Sequence, residues 1–176
     1  TSIPWTVPKS FYEEITNAKS GTVTLTCKTY SGSTLLGEKT TTFRATASEE
    51  LCKPDVSGTA VVTDELTKGL TGNDHTVIRY VSAVEATITA SPKNGAAIAG
   101  RTVNGKALTD TLDFTNAETG AFVFAATDSR GYTGSRTVNL DFVSYIPLTL
   151  TPTVNRVTPT GDIVAVNIKG NFWEGN

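Results

Sequence analysis

A chain of 176 residues with 15 basic and 17 acidic side chains has a formal charge of -2. That balance excludes a nucleic-acid surface, which needs clustered Lys and Arg to displace counterions from phosphates. Thirty-two threonines and a charged fraction of 18% favour strands, and no apolar run approaches the roughly 18 residues that would cross a bilayer, so membrane insertion is not expected.

In chain order, Ile3-Pro-Trp5-Thr-Val7-Pro8 reads as extended, with Trp5 a core residue. Phe11 to Ile15 reads as a helical turn or a short irregular strand. Thr22 to Thr29 alternates, with Val23, Leu25 and Cys27 on the inward face. A tip from Tyr30 to Thr34 leads to a return strand, Lys39 to Thr46, whose inward residues are Thr41, Phe43 and Ala45. Glu49 to Lys53 is a linker. Asp55 to Thr63 follows as a strand burying Val56, Ala60 and Val62, then an irregular excursion from Asp64 to Arg79 that carries the single histidine, His75. Glu85 to Ala90 is a strand burying Ala86 and Ile88, a register favoured over the alternative that buries Val84 and Thr87. Ala96 to Val103 and Lys106 to Leu108 flank Asn104-Gly105, whose two residues tolerate the positive φ of a type I′ hairpin turn. Leu112 to Phe114 is a short strand. Ala121 to Thr127, with Phe122, Phe124 and Ala126 inward, turns through a polar tip, Asp128 to Ser135, into Arg136 to Val143, with Val138, Leu140 and Phe142 inward. Ser144 to Pro147 is a second linker. Leu148 to Val157 and Asp162 to Lys169 end the chain as two strands, and Val164, Val166 and Ile168 give them an apolar face.

The hairpin from Gly120 to Val143 has an earlier counterpart. Gly21, Val23, Leu25, Cys27 and Gly32 fall on Gly120, Phe122, Phe124, Ala126 and Gly131, each 99 positions on. A period near 100 residues in a strand-rich chain is the size of an immunoglobulin-type sandwich. The expected fold is therefore all-β, built of antiparallel immunoglobulin-like β-sandwich repeats of about 100 residues. On that basis 1–48 is the closing part of one sandwich, 54–143 a complete one, and 147–176 the opening strands of a third. The absence of methionine fits a processed product or a fragment of something longer.

Catalysis finds little to work with. One histidine offers no pair for zinc, the acidic pairs Glu13-Glu14, Glu49-Glu50 and Asp64-Glu65 fall in turns or linkers, and Asp55, Asp64 and Asp74 do not match a calcium-loop spacing. No enzyme, metal or cofactor is expected. Cys27 and Cys52 lie too far apart along the strands for a bridge and are expected to be reduced. Binding, if any, belongs at the loop tips: Arg130 and Tyr132 at the closing tip and Tyr30 at the other, where an arginine beside an aromatic suits a sugar or an acidic polymer. The competing reading is that Arg130 pairs with Asp128 and stiffens its own turn.

Trp5-Thr-Val-Pro8, Gly21 to Thr34, Leu70-Thr-Gly-Asn73 with Ile78-Arg-Tyr80, and Ala126 to Tyr132 together resemble minor structural proteins of tailed phages and prophages of Gram-positive bacteria. The resemblance implies a virion component of the tail or baseplate, assembled in the bacterial cytoplasm. Its partners would be other virion tail proteins or further copies of itself. The role it implies is a non-enzymatic spacer; the alternative is an adhesion module for host cell-wall polysaccharide, on a virion or at a bacterial cell surface.

Overall fold

The computed structural model describes residues 4, 6, 8 and 10–171, so Trp5 and the segment after Asn171 lie outside the described residues. The chain is mostly strand, arranged in several sheets, and its helices are short. It divides into two compact units. The first comprises Thr1–Thr59, Thr87–Leu112 and Val123–Val138, and the second Ala60–Ala86, Asp113–Phe122 and Asn139–Asn176.

In the first unit, α1 (Ser10–Glu14) takes the helical option for the Phe11 segment. The hairpin of β1 (Ser20–Ser31) and β2 (Thr34–Thr46) follows. Its tip is two residues, Gly32 and Ser33, rather than five, because Gly32 supplies φ 58° and an irregularity between Thr29 and Tyr30 takes up the slack in register. Cys27 consequently faces Lys39, and Leu25 faces Thr41. The alternation is as expected, but the burial is not: Leu25 is 54% and Phe43 38% exposed. Period two sets which side chains share a face; it does not supply a second layer to cover them.

The Glu49–Lys53 linker is in fact a helical turn, α2 (Glu49–Cys52), which carries Cys52 into a small buried cluster with Ala47 and Tyr132, against which Tyr12 packs. Both cysteines are free, Cys27 exposed and Cys52 buried.

Strands β3 (Asp55–Val62), β5 (Val84–Ser91) and β8 (Thr111–Phe114) form a three-stranded sheet. Ala60, Val62, Ala86 and Ile88 are buried in the expected period-two pattern; Val84, which belongs to the other register on the sequence reading, shares the buried face of Ala86 and Ile88, and Val56 is only half-buried. A four-stranded sheet has the order β10 (Thr133–Asn139), β9 (Ala121–Asp128), β6 (Ile98–Val103), β7 (Lys106–Ala107). Asn104 and Gly105 link β6 to β7 with φ of 48° and 77°, the type I′ geometry their sequence predicts. The Asn104 side chain then accepts from Val123 N at 2.8 Å, latching this turn to β9. Phe124 lies face-on against Gly58 of β3, so close that a Cβ at Gly58 would sit 2.6 Å from the ring.

The second unit differs most from the sequence expectation. The stretch Asp64 to Arg79 contains a helix, α3 (Glu65–Thr71), and a strand, β4 (Thr76–Ile78). The Arg136–Val143 strand breaks at Leu140. Beyond it, β11 (Asp141–Val143) pairs parallel with β4 instead of continuing along β9. Gly120 permits the switch: Leu140 N donates to its carbonyl at 2.8 Å, and a Cβ at Gly120 would run into the Leu140 carbonyl. Phe114 and Phe122 meet edge to face at 5.4 Å. The last hairpin pairs β12 (Thr149–Arg156) with β13 (Val164–Asn171), Val154 opposite Val166 and Pro152 opposite Ile168. Its apolar face forms as expected but lies open, with Leu150 at 59% and Ile168 at 63% exposure.

Candidate functional site

The tip between β9 and β10 is built by one carboxylate. Asp128 Oδ1 accepts from Arg130 N at 3.0 Å and from Tyr132 N at 2.8 Å, while Asp128 N donates to Tyr132 O at 2.9 Å. Gly131 closes the turn in the left-handed region, φ 86°. Gly32, its counterpart 99 positions earlier, occupies the same region. A turn wound this tightly directs the Arg130 side chain inward, where it is buried.

Every N–H of the Arg130 guanidinium has an acceptor. Nε donates to Ile15 O at 2.5 Å, one terminal nitrogen to Lys93 O at 2.9 Å and Asp128 Oδ2 at 3.3 Å, and the other to Tyr12 O at 2.8 Å and to Asn94 O. Five donors on a planar fork are thereby matched to four main-chain carbonyls and one carboxylate. Ser129 adds to the clasp, donating to Thr16 O at 2.5 Å and accepting from Ala97 N at 3.1 Å. Tyr132 is buried too; its hydroxyl donates to Ala47 O at 2.6 Å, and the Lys19 ammonium stands 4.9 Å from the ring centroid. Burial pushes the phenol above its ordinary pKa, with Cys52, Glu49 and Asp128 adding to the rise and Arg130 opposing it.

Arg130 and Tyr132 therefore sit together in one turn, but at 4% and 5% exposure they present no free surface. The Arg130–Asp128 pair is present, and it does more than stiffen its own turn: it gathers carbonyls from residues 12–15 and 93–94. Tyr30 stands on the other hairpin, 54% exposed. Two hollows of about 190 and 370 Å³ flank Phe11 and Ile15, where α1 meets the base of that hairpin.

Asp64 and Asp55 serve structure. Asp64 is the N-cap of α3: one oxygen accepts from Thr67 N and the other from Ala83 N, both at 2.8 Å. Its partial burial works to raise the carboxyl pKa, but the hydrogen bonds from Thr67 and Ala83 outweigh it and hold the group below its ordinary value. Asp55 pairs with Lys93 at 2.6 Å, and Asp74 lies 3.5 Å from His75 on an exposed loop. Among the described residues no three His, Cys, Asp or Glu side chains come together as a metal site.

A mainly β chain with buried polar clasps and open hairpin faces matches one family model. Residues 1–171 fit the family described as "Siphovirus protein of unknown function (DUF859)". The chain belongs to this family. Membership makes it a phage protein, in agreement with the resemblance carried by its sequence motifs, and the match runs through both terminal hairpins as well as the sheets between them. No curated protein and no solved structure matches the chain. No described helix of this DUF859 chain is long and apolar enough to cross a membrane.

Proposed function

We propose that this chain is a non-enzymatic structural module of a phage tail or baseplate, built of immunoglobulin-like repeats and covered by neighbouring subunits of a virion that infects a Gram-positive host. The observation that carries this reading is the pair of open apolar faces. A two-stranded hairpin is marginal in water by itself, yet β12 and β13 expose Leu150, Val154, Val164, Val166 and Ile168, while Thr149, Thr151, Thr153 and Asn167 alternate with them. Leu25 and Phe43 repeat the situation on the first hairpin. Contiguous exposed apolar surface of this kind marks an interaction site. The 99-residue offset between hairpins, with a left-handed glycine at the tip of each, supports a repeated sandwich unit. In such a module the work is mechanical: rigid β units hold functional parts of the particle at fixed spacing.

The exposed thiol of Cys27 tests this directly, because it shares a face with Leu25 while Cys52 is buried. A thiol reagent under native conditions should modify one cysteine of the free chain and neither cysteine of the assembled virion. Equal labelling of Cys27 in free chain and virion would overturn the covered-face reading.

A second reading, adhesion to host cell-wall polysaccharide, is favoured by the exposure of Tyr30 at a hairpin tip. Under that reading Tyr30→Ala lowers the amount of chain pulled down with host cells; unchanged pull-down would dismiss Tyr30 as the contact.

A further inference from the structure

The turn after β4 is held rigidly at both of its ends. Arg79 N donates to Val143 O at 3.0 Å, Tyr80 N to Ala117 O at 2.9 Å, and Val81 N and Ser82 N to Ile78 O at 3.1 and 3.0 Å. Beneath it the buried Ser82 hydroxyl accepts from Ile78 N at 2.7 Å and bonds the buried Thr67 hydroxyl at 2.9 Å. So fixed, the backbone of Tyr80 lies in the left-handed region at φ 62°.

Residue choice there breaks the rule that the rest of the chain follows. Every other described residue at positive φ is glycine or asparagine, the types that occupy this region with least strain. A bulky aromatic is disfavoured, and core packing does not account for it, since Tyr80 is 37% exposed. Its neighbour has its own oddity. The Arg79 guanidinium carbon lies 4.6 Å from the Tyr80 ring centroid, and Arg79 Nε, like Arg101 Nε, is shielded from solvent without a hydrogen-bond partner. No carboxylate among the described residues pairs with it, whereas Arg101 and Arg130 each have one. An aromatic held in a strained conformation beside a stacked cation that has no carboxylate partner is an arrangement that structure alone leaves unexplained and that a ligand would explain.

We propose that Arg79 and Tyr80 form a binding site for an anionic sugar. The two terminal nitrogens of the guanidinium take the phosphate or carboxylate, and the phenol ring offers an apolar face to the C–H side of the pyranose. The strained turn keeps the ring presented to solvent. This site stands apart from the structural role proposed above, which a failure to bind sugar would leave intact.

The test is an amide chemical-shift titration of the labelled chain with glucose 6-phosphate, glucuronate, glucose and inorganic phosphate. At least one of the two anionic sugars should shift the signals of residues 79–82 and 117 and saturate, and which of them binds more tightly identifies the anion. Glucose and inorganic phosphate should each bind about tenfold more weakly or worse. Tyr80→Gly relieves the backbone strain, so it should raise the unfolding midpoint while weakening the sugar by about tenfold or more. Arg79→Gln should weaken it comparably with the fold intact. The proposal is overturned by no response to either anionic sugar, by inorganic phosphate binding as tightly as glucose 6-phosphate (an adventitious ion only), or by Tyr80→Gly binding like the parent.

Discussion

Replacing Arg130 with alanine is the most searching perturbation of the first unit. It strips partners from four main-chain carbonyls, those of Tyr12, Ile15, Lys93 and Asn94, and from a carboxylate with no exposed side-chain surface. Removing one member of a buried ion pair typically costs about 3–5 kcal/mol, and each carbonyl left dry would add about 1–3 kcal/mol. That total, about 7–17 kcal/mol, is as large as the stability of a whole domain, roughly 5–15 kcal/mol. The structure must therefore yield locally: residues 11–16 release from the tip, water reaches the carbonyls, and the net loss settles near about 4 kcal/mol. With a urea dependence of about 2 kcal/mol per molar, the unfolding midpoint should fall by roughly 2 M. Amide exchange over residues 11–16 should rise towards that of an open segment. Arg130→Lys discriminates charge from shape. It retains the charge beside Asp128 but offers three donors where five are used, so it should recover only part of the loss. The reasoning is refuted if Arg130→Ala unfolds within about 0.3 M of the parent and leaves exchange over residues 11–16 unchanged.

Other perturbations bear on single contacts. Tyr132→Phe removes the donor to the Ala47 carbonyl and should cost about 1–2 kcal/mol in urea unfolding; a neutral result would mean water serves that carbonyl. Gly58→Ala places a methyl on the Phe124 ring and should cost about 1–3 kcal/mol by overpacking, read as a lowered midpoint of thermal unfolding. Asp64→Ala loses the α3 cap and the bond to Ala83, for about 1–3 kcal/mol at neutral pH. Because the folded carboxyl titrates below its ordinary value, its stabilisation is full above the ordinary value, near pH 4, and is lost as pH falls through the folded pKa. The gap between parent and variant should accordingly shrink below about pH 4; a gap constant down to low pH would contradict the assignment.

What the sequence conveys about this chain is local. Alternation at Phe122, Phe124 and Ala126 and the Asn104-Gly105 pair specify strand and turn from adjacent residues, and both appear as read. Helix α3 escapes because it is only seven residues long, contains Gly69, and leaves Leu66 and Leu70 exposed. Its signature lies at the ends instead, Asp64 as N-cap and Gly72 in the left-handed region after Thr71. The break at Leu140 is silent for another reason: Val138, Leu140 and Phe142 keep one alternation while the chain leaves β9 for β4. The Arg130–Asp128 pair is legible because its members are two apart. The other acceptors lie 36 to 118 positions away and are main-chain carbonyls, which any residue type would supply.

The same distinction separates the two kinds of arginine in the molecule. Arg130 spends every donor on its own chain, so its neighbouring aromatic, Tyr132, is free to be buried and to bond Ala47. Arg79 also stacks beside a tyrosine, but no described acceptor takes its Nε, and its aromatic is held outward by a backbone conformation that glycine would adopt with less strain. Sequence alone presents both as an arginine next to, or one residue from, an aromatic. Whether such a pair is a clasp or a contact depends on the acceptors folded around it. By that criterion the tip of the closing hairpin is part of the frame, and the turn after β4 is where this phage protein has recognition chemistry to spare.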